Sequence, residues 1–201
     1  MNIQLLKENI EGIDIYILDQ IVKDNYQPRD TILDAGCGTG RNLTWFYNNN
    51  FEIHGVDNQI ESIAYCKEKY VNQQDHFKFA LVEELPYESN NFDHIICNAV
   101  LHFAQNLNQF WKMFDELLRV LKPQGSLLIR MASNFGIEKQ IKMINDGVYA
   151  LPDGSTRFLL DDKLLRDLQN RIELIFLENV KTTIVHNQRS MTTLLLRKEQ
   201  V

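Results

Sequence analysis

The chain has 201 residues, 44% hydrophobic and 24% charged, with Lys+Arg 21 against Asp+Glu 27 and a net charge of −6. That composition excludes a disordered chain, a collagen-like repeat and a coiled-coil array. An acidic chain with no basic block has no electrostatic footprint for nucleic acid or an anionic membrane surface, and its length leaves no residues for a separate substrate domain.

The start, Met-Asn-Ile-Gln-Leu-Leu-Lys-Glu, carries charges where a secretion signal needs an apolar stretch. No run of about 18 apolar residues is present for a membrane span. Ile10, Ile13, Ile17 and Ile21 recur at helical spacing and predict a helix over residues 10 to 25, stopped by Pro28. Thr31-Ile-Leu-Asp-Ala predicts a short buried strand ending in glycines, and residues 41 to 49 a helix with Leu43, Phe46 and Tyr47 inward. Phe51 to Asp57 alternates as a second strand. Asn58 is placed to cap the next helix, whose apolar face reads Ile60, Ile63, Ala64 and Tyr70.

His76 to Leu81 and Phe92 to Cys97 predict strands three and four. The clearest helix runs from Asn106 to Leu121. Its aromatic face of Phe110, Trp111 and Phe114, together with Phe103, is expected to pack in the core. Lys122-Pro-Gln-Gly125 ends that helix and Ser126 to Met131 supplies a fifth strand. A long insertion follows, with a turn cluster at Leu151-Pro-Asp-Gly-Ser-Thr-Arg157. After a helix near Asp161 to Arg171, residues 173 to 185 and 191 to 198 are strand-like. The intervening His186-Asn-Gln-Arg-Ser190 is too short for a parallel crossover and suits a hairpin.

Strand alternating with helix is the mark of βαβ units. The expected fold is α/β: a Rossmann-like, doubly wound, seven-stranded sheet, mostly parallel with one antiparallel strand in a C-terminal hairpin. Within a single domain the expected parts are an N-terminal helical cap (1–29), a cofactor-binding core (30–131), a substrate-side insertion (132–160), and the last helix and β-hairpin (161–201).

Ligands of open α/β sheets bind beyond the carboxyl ends of the strands. The first strand runs into Asp34-Ala-Gly-Cys-Gly-Thr-Gly40, whose alternate glycines let a ligand approach main-chain N–H groups. The second ends in Asp57, placed to accept two hydrogen bonds from a ribose diol; as a bland alternative it is only a helix cap. Gly36-x-Gly38-x-Gly40 followed by Arg41 is not the G-x-G-x-x-G of a dinucleotide site. Asp34 would repel a pyrophosphate and suits a cationic group.

The segment Asp34 to Gly40 resembles motif I of the class I S-adenosylmethionine-dependent methyltransferases. The resemblance continues through Asp57, Glu83-Glu-Leu-Pro-Tyr87, Asn91-Phe-Asp-His-Ile-Ile-Cys-Asn98 and Leu117-Leu-Arg-Val-Leu-Lys-Pro-Gln-Gly125, covering roughly residues 30 to 131. The chain is similar to small-molecule enzymes of the type 11 and type 25 groups. Gly40-Arg41-Asn42 and Met191 to Arg197 look similar to tellurite-resistance and thiopurine-type members.

The resemblance implies roles residue by residue. Gly36 and Gly38 would carry the backbone against the methionine part of the cofactor, with Asp34 facing its amino group. Asp57 would hold the ribose hydroxyls and Asn58 would lie along the adenine. The backbone at Val82 and the Glu83 region would meet the adenine edge, and the Asn98 carbonyl the methionine amino group. One position departs from the family: Leu81 stands where many members place an acid for the adenine amino group.

Other candidates keep two readings. His102 is either a general base or a cleft-wall residue packing on the cofactor, the second preferred. Arg41 reaches a carboxylate or is a solvated first-turn residue. Arg130 and Arg157 clamp an anionic substrate or are ordinary surface arginines.

The expected activity is methyl transfer from S-adenosylmethionine to a small-molecule acceptor by in-line displacement, leaving S-adenosylhomocysteine. The alternatives are a nicotinamide (NAD)-dependent oxidoreductase and a non-catalytic cofactor-binding subunit. Cys97-Asn-Ala-Val100 lacks the Asn/Asp-Pro-Pro-aromatic signature of enzymes acting on nucleic-acid bases. Cys37, Cys66 and Cys97 are odd in number, and five histidines lie scattered at 54, 76, 94, 102 and 186. No metal site or disulfide framework is expected, and the expected home is the cytoplasm. The expected partner is a small-molecule substrate, without nucleic acid or membrane, for a monomer or homodimer.

Overall fold

A computed structural model describes residues 3–200. Its strands are β1 (Thr31–Ala35), β2 (Glu52–Asp57), β3 (Phe77–Phe79), β4 (Phe92–Asn98), β5 (Leu121–Ala132), β6 (Lys142–Asn145), β7 (Val148–Ala150), β8 (Thr156–Phe158), β9 (Leu174–Phe176), β10 (Lys181–Val185) and β11 (Arg189–Lys198). The α-helices are α1 (Ile3–Ile10), α2 (Ile15–Val22), α3 (Thr44–Asn48), α4 (Ile60–Lys69), α5 (Leu107–Val120) and α6 (Asp162–Gln169). None of them is long and apolar enough to cross a membrane.

The central sheet has the order β10-β11-β5-β4-β1-β2-β3. β1 pairs in parallel with β2 and β4, β2 with β3, and β4 with β5. β11 runs antiparallel to both β5 and β10, so the reversed strand lies in the C-terminal hairpin. Helices cover both faces, which is why β1 is buried along nearly its whole length rather than on alternate residues. Ile32, Ile53, Ile96 and Leu128 pack with Ile17, Phe46 and Ile63 on one face. Leu33, Ile95, Leu127 and Ile129 pack with Phe110, Phe114 and Leu117 of α5 on the other.

Five local expectations are corrected. The helix predicted over residues 10 to 25 is two helices: Gly12 turns the chain at φ +76 and Asp14 caps α2, its side chain accepting from the Tyr16 N–H. Asn58 does not cap α4. The Asp57 carboxylate takes the Gln59 N–H at 2.9 Å instead, and Gln59 occupies the cap position with no side-chain bond. α4 buries Ile63 and Cys66, while Ile60 and Ala64 face outward.

The run predicted from 173 to 185 divides into β9 and β10, which share the ten-residue β11 end to end, so the sheet has eight strands. Glu178 sits at the break, ion-paired with Lys23 and Lys181. The insertion, read only as a turn cluster, folds into a second sheet in the order β6-β7-β8. Its strands are three or four residues long and β6 is exposed throughout, so no period-two pattern marks them.

Candidate functional site

A cleft of about 560 Å³ opens beyond the carboxyl ends of β1, β2 and β4. That volume is within the range of small-molecule and cofactor sites. Gly36, Gly38, Asp57, Asn58, Val82 and Glu83 line it. The other two predicted cofactor residues, Asp34 and Asn98, do not; they are buried at 1% and 8% exposure.

The loop after β1 is held by its neighbours. The N–H groups of Gly36 and Cys37 both donate to the Val56 carbonyl, at 2.8 and 2.9 Å. Gly36 has φ +81, and a Cβ there would stand 2.3 Å from Val100 Cγ2. Gly38 has φ +51 and nothing within 4 Å of where its Cβ would be, so its backbone faces open room. The two glycines thus do different work: the first lets the cleft wall close, the second leaves space. Gly36→Ala is expected to cost about 2 kcal/mol through both strain and overlap, a drop of several degrees in Tm by thermal melting.

Asp57 ties the loop to the second strand. One carboxylate oxygen accepts from the Gly38 N–H at 2.7 Å, the other from the Gln59 N–H at 2.9 Å. A carboxylate has about four lone-pair sites, so each oxygen keeps capacity for a further donor. This fixed, half-buried acceptor pair matches a vicinal diol.

Asp34 is the most deeply buried of the predicted site carboxylates. Both of its carboxyl oxygens are buried without a hydrogen-bond partner, and so are both amide atoms of Asn98. Burial pushes the Asp34 carboxyl up to about 7, the Arg41 charge and the neighbouring Asn42 side chain opposing and the Asp57 charge adding to the rise. Buried polar groups left unpaired are rare because each costs free energy. A ligand ammonium would donate to the Asp34 carboxylate and to Asn98 Oδ1, while Asn98 Nδ2 would need a ligand acceptor.

At the other end, both Glu83 oxygens accept from Gln109 Nε2 at 3.1 Å. Gln105, Gln109 and Met113 on or just before α5 line the cleft, as do Leu81, Val100 and Phe103. The sequence gives no sign of Gln105, Gln109 and Met113 here, since the two glutamines read as a solvated helix face and Met113 as an ordinary apolar position of α5. Phe103, expected in the core, is 54% exposed on the cleft wall. A single 3-10 turn over Leu101–Phe103 sends Leu101 and His102 inward and Phe103 out.

His102 has the wrong tautomer for a base. The Ala132 N–H donates to its Nδ1 at 3.2 Å, so Nδ1 is the acceptor and the ring proton sits on Nε2. Burial pushes its pKa down to about 4, and the charges of Arg157, Arg189 and Arg130 push the same way. Its ring signals are therefore expected to stay constant from pH 5.5 to 8 in an NMR titration; an inflection near 6.5 would return the base role to it.

The arginines take distinct places. The Arg41 guanidinium donates to the Gly12 carbonyl at 2.5 Å, and the Asp14 N–H donates to Asn42 Oδ1 at 3.1 Å, latching the start of α2 onto the glycine loop. Arg130 stands beside Asn98 in the β4–β5 register. Arg157 lies over the Phe103 ring, 4.9 Å from its centroid. At the opposite end of β2, Glu52, His54 and His76 bring ligand-type atoms within 4.8 Å of one another. The two imidazoles are stacked at 1°, so their in-plane lone pairs do not converge on one ion.

Residues 33–129 match the model of a methyltransferase domain. An uncharacterized methyltransferase of Bacillus subtilis, YodH, is 30% identical over 117 residues, 57% of this chain and 46% of that protein. A malonyl-[acyl-carrier protein] O-methyltransferase of Buchnera aphidicola is 32% identical over 123 residues, 57% of this chain and 46% of that protein. The chain thus spans less than half the length of these curated relatives. Among solved structures, a SAM-dependent methyltransferase of Methanosarcina mazei superposes with a TM-score of 0.73 at 18% identity, covering 90% of this chain and 98% of that one.

Proposed function

We propose that the chain carries a class I S-adenosylmethionine-dependent methyltransferase domain and transfers a methyl group from S-adenosylmethionine to a small-molecule acceptor. The pairing of an orphaned, buried Asp34 with a diol-ready Asp57, on two sides of a glycine loop, carries this reading. Asp34 and Asn98 would take the ammonium of the cofactor, Gly36 and Gly38 its methionine backbone, and Asp57 its ribose. Asn58, Val82 and Glu83 would flank the adenine, Glu83 standing in for the acid that Leu81 lacks.

When bound, the cofactor supplies a methyl group already activated on a sulfonium, so the reading requires no metal. The chain's own contribution is to hold the acceptor in line, an effect of proximity and orientation. The parts follow the same reading within one domain: residues 30–131 hold the cofactor, 132–160 form the substrate side, residues 1–29 cap the cleft, and 161–201 complete the sheet. Residues 1, 2 and 201 lie outside the described ones. The three free, buried cysteines and the net charge of −6 suit a cytoplasmic protein, monomeric or dimeric, without a nucleic-acid or membrane partner.

Calorimetric titration with S-adenosylhomocysteine and with NAD⁺ tests the reading. Micromolar binding of the thioether alone supports it. Binding of NAD⁺ instead would promote the oxidoreductase alternative. Thioether binding without turnover on any acceptor would favour a non-catalytic subunit.

A further inference from the structure

We infer that the acceptor carries an anionic group, docked by Arg130 and Arg157 beside the methyl-transfer site; this rests on the methyltransferase reading and names the substrate class it leaves open. The inference starts from a row of unsatisfied side chains. Asn98, Arg130 and Thr193 are successive neighbours across β4, β5 and β11, so their side chains share one face of the sheet. Each has a buried polar atom without a partner: the Asn98 amide, Arg130 Nε and Thr193 Oγ1. A cofactor ammonium would account for Asp34 and for Asn98 Oδ1. It cannot account for Arg130 Nε, which is a cationic donor.

The row meets the cleft at its wall. The Arg130 carbonyl accepts the Ala99 N–H at 2.7 Å, and Ala99 lines the cleft together with Phe103. Arg157 covers the Phe103 ring from the insertion side. The charges that reach His102 are those of Arg157, Arg189 and Arg130, with no carboxylate among them.

Two carboxylates face these three cations. Asp153 binds Arg189 through both guanidinium nitrogens Nε and Nη2. Asp14 stands 3.6 Å from Arg130 Nη1, close enough to balance charge and too far for a hydrogen bond. Arg157 has no carboxylate partner among the described residues; its guanidinium donates only to its neighbour, the Thr156 carbonyl. Three cations against two anions leave one positive charge uncompensated among these groups, that of Arg157, which lies against the Phe103 ring of the cleft wall. An acceptor carboxylate or phosphate would supply the missing charge and take charge-assisted hydrogen bonds from Arg130 Nε and Arg157.

The test uses the full chain, ¹⁵N-labelled and saturated with S-adenosylhomocysteine, titrated at constant ionic strength with benzoate, inorganic phosphate or neutral benzamide. Arginine Nε–H signals are assigned from Arg130→Lys and Arg157→Lys. Saturable shifts of the Arg130 and Arg157 signals with an anion, at a Kd of about 1–10 mM, and none with benzamide are expected. Arg157→Gln should weaken that binding about fivefold or more and leave thioether affinity within about twofold. Preference for benzoate points to a carboxylic acid, preference for phosphate to a phosphomonoester. Shifts that follow benzamide equally, that spread over Arg119, Arg166 and Arg171, or that fail to saturate by about 100 mM would overturn the inference. If the thioether itself does not saturate the protein, the methyltransferase reading fails first; saturation with inert arginines sinks the anionic acceptor alone.

Discussion

Asp57→Ala is expected to weaken S-adenosylhomocysteine binding by about 30-fold or more, roughly 2 kcal/mol, while the sheet stays folded. The size follows from two coupled losses. The variant removes the acceptors proposed for the ribose hydroxyls, and it also releases the Gly38 and Gln59 N–H groups that the carboxylate now holds at 2.7 and 2.9 Å. The loop would then have to be ordered by the ligand itself. Asp57→Asn separates the two losses: its carboxamide keeps one acceptor, so binding should fall between wild type and alanine. Calorimetry gives the affinities and far-UV circular dichroism shows that the fold is retained. An alanine variant that binds within about threefold of wild type would remove Asp57 from the site.

A pH dependence of binding centred on Asp34 is the second large effect. In the free protein its carboxyl titrates at about 7, because burial disfavours the charged form. A cofactor ammonium would be bound by the carboxylate, so affinity should rise by up to about tenfold per pH unit below 7 and level off above it. Asp34→Asn should bind weakly at every pH and abolish the slope. A wild-type affinity that is flat from pH 5.5 to 8 would contradict the role given to Asp34.

The same group makes a stability prediction of opposite sense. Its folded pKa lies above the ordinary 3.8, so its contribution to stability is fully present at low pH and is lost as pH rises from 3.8 to about 7. The unliganded Asp34→Asn protein should therefore melt higher than wild type at pH 8, with the gap closing toward pH 5. The difference between the two proteins is the quantity to measure. Half-buried His54 and His94 and buried His102 titrate below their ordinary value and raise the stability of both as pH climbs to 6.5. Asp34 would then be a residue whose charge costs stability and is retained for a ligand.

What the sequence determined by itself was local. The Asp34–Gly40 loop and Asp57 could be placed at the ends of their strands because β1 is a short apolar run leading into glycines and β2 an alternating one ending in an acid, and those residue types act on the backbone next to them. The long α5 was legible from its apolar period, and the reversal of β11 from a linker too short to cross the sheet. The expected helix over residues 10 to 25 failed at the one place where a single glycine outweighs an apolar period, Gly12.

Only the tertiary structure decided what lies opposite what. Asn98, Arg130 and Thr193 come from distant parts of the chain and meet through strand register, which no local pattern encodes. The same holds for Gln109 against Glu83, for the His54–His76 stack that chain spacing hid, and for Asp14 latched over the loop through Asn42. The physical reason is common to all of them. Backbone propensity and apolar period act over a few residues, whereas the charge and desolvation that set Asp34, His102 and Arg130 depend on which groups the completed sheet buries together.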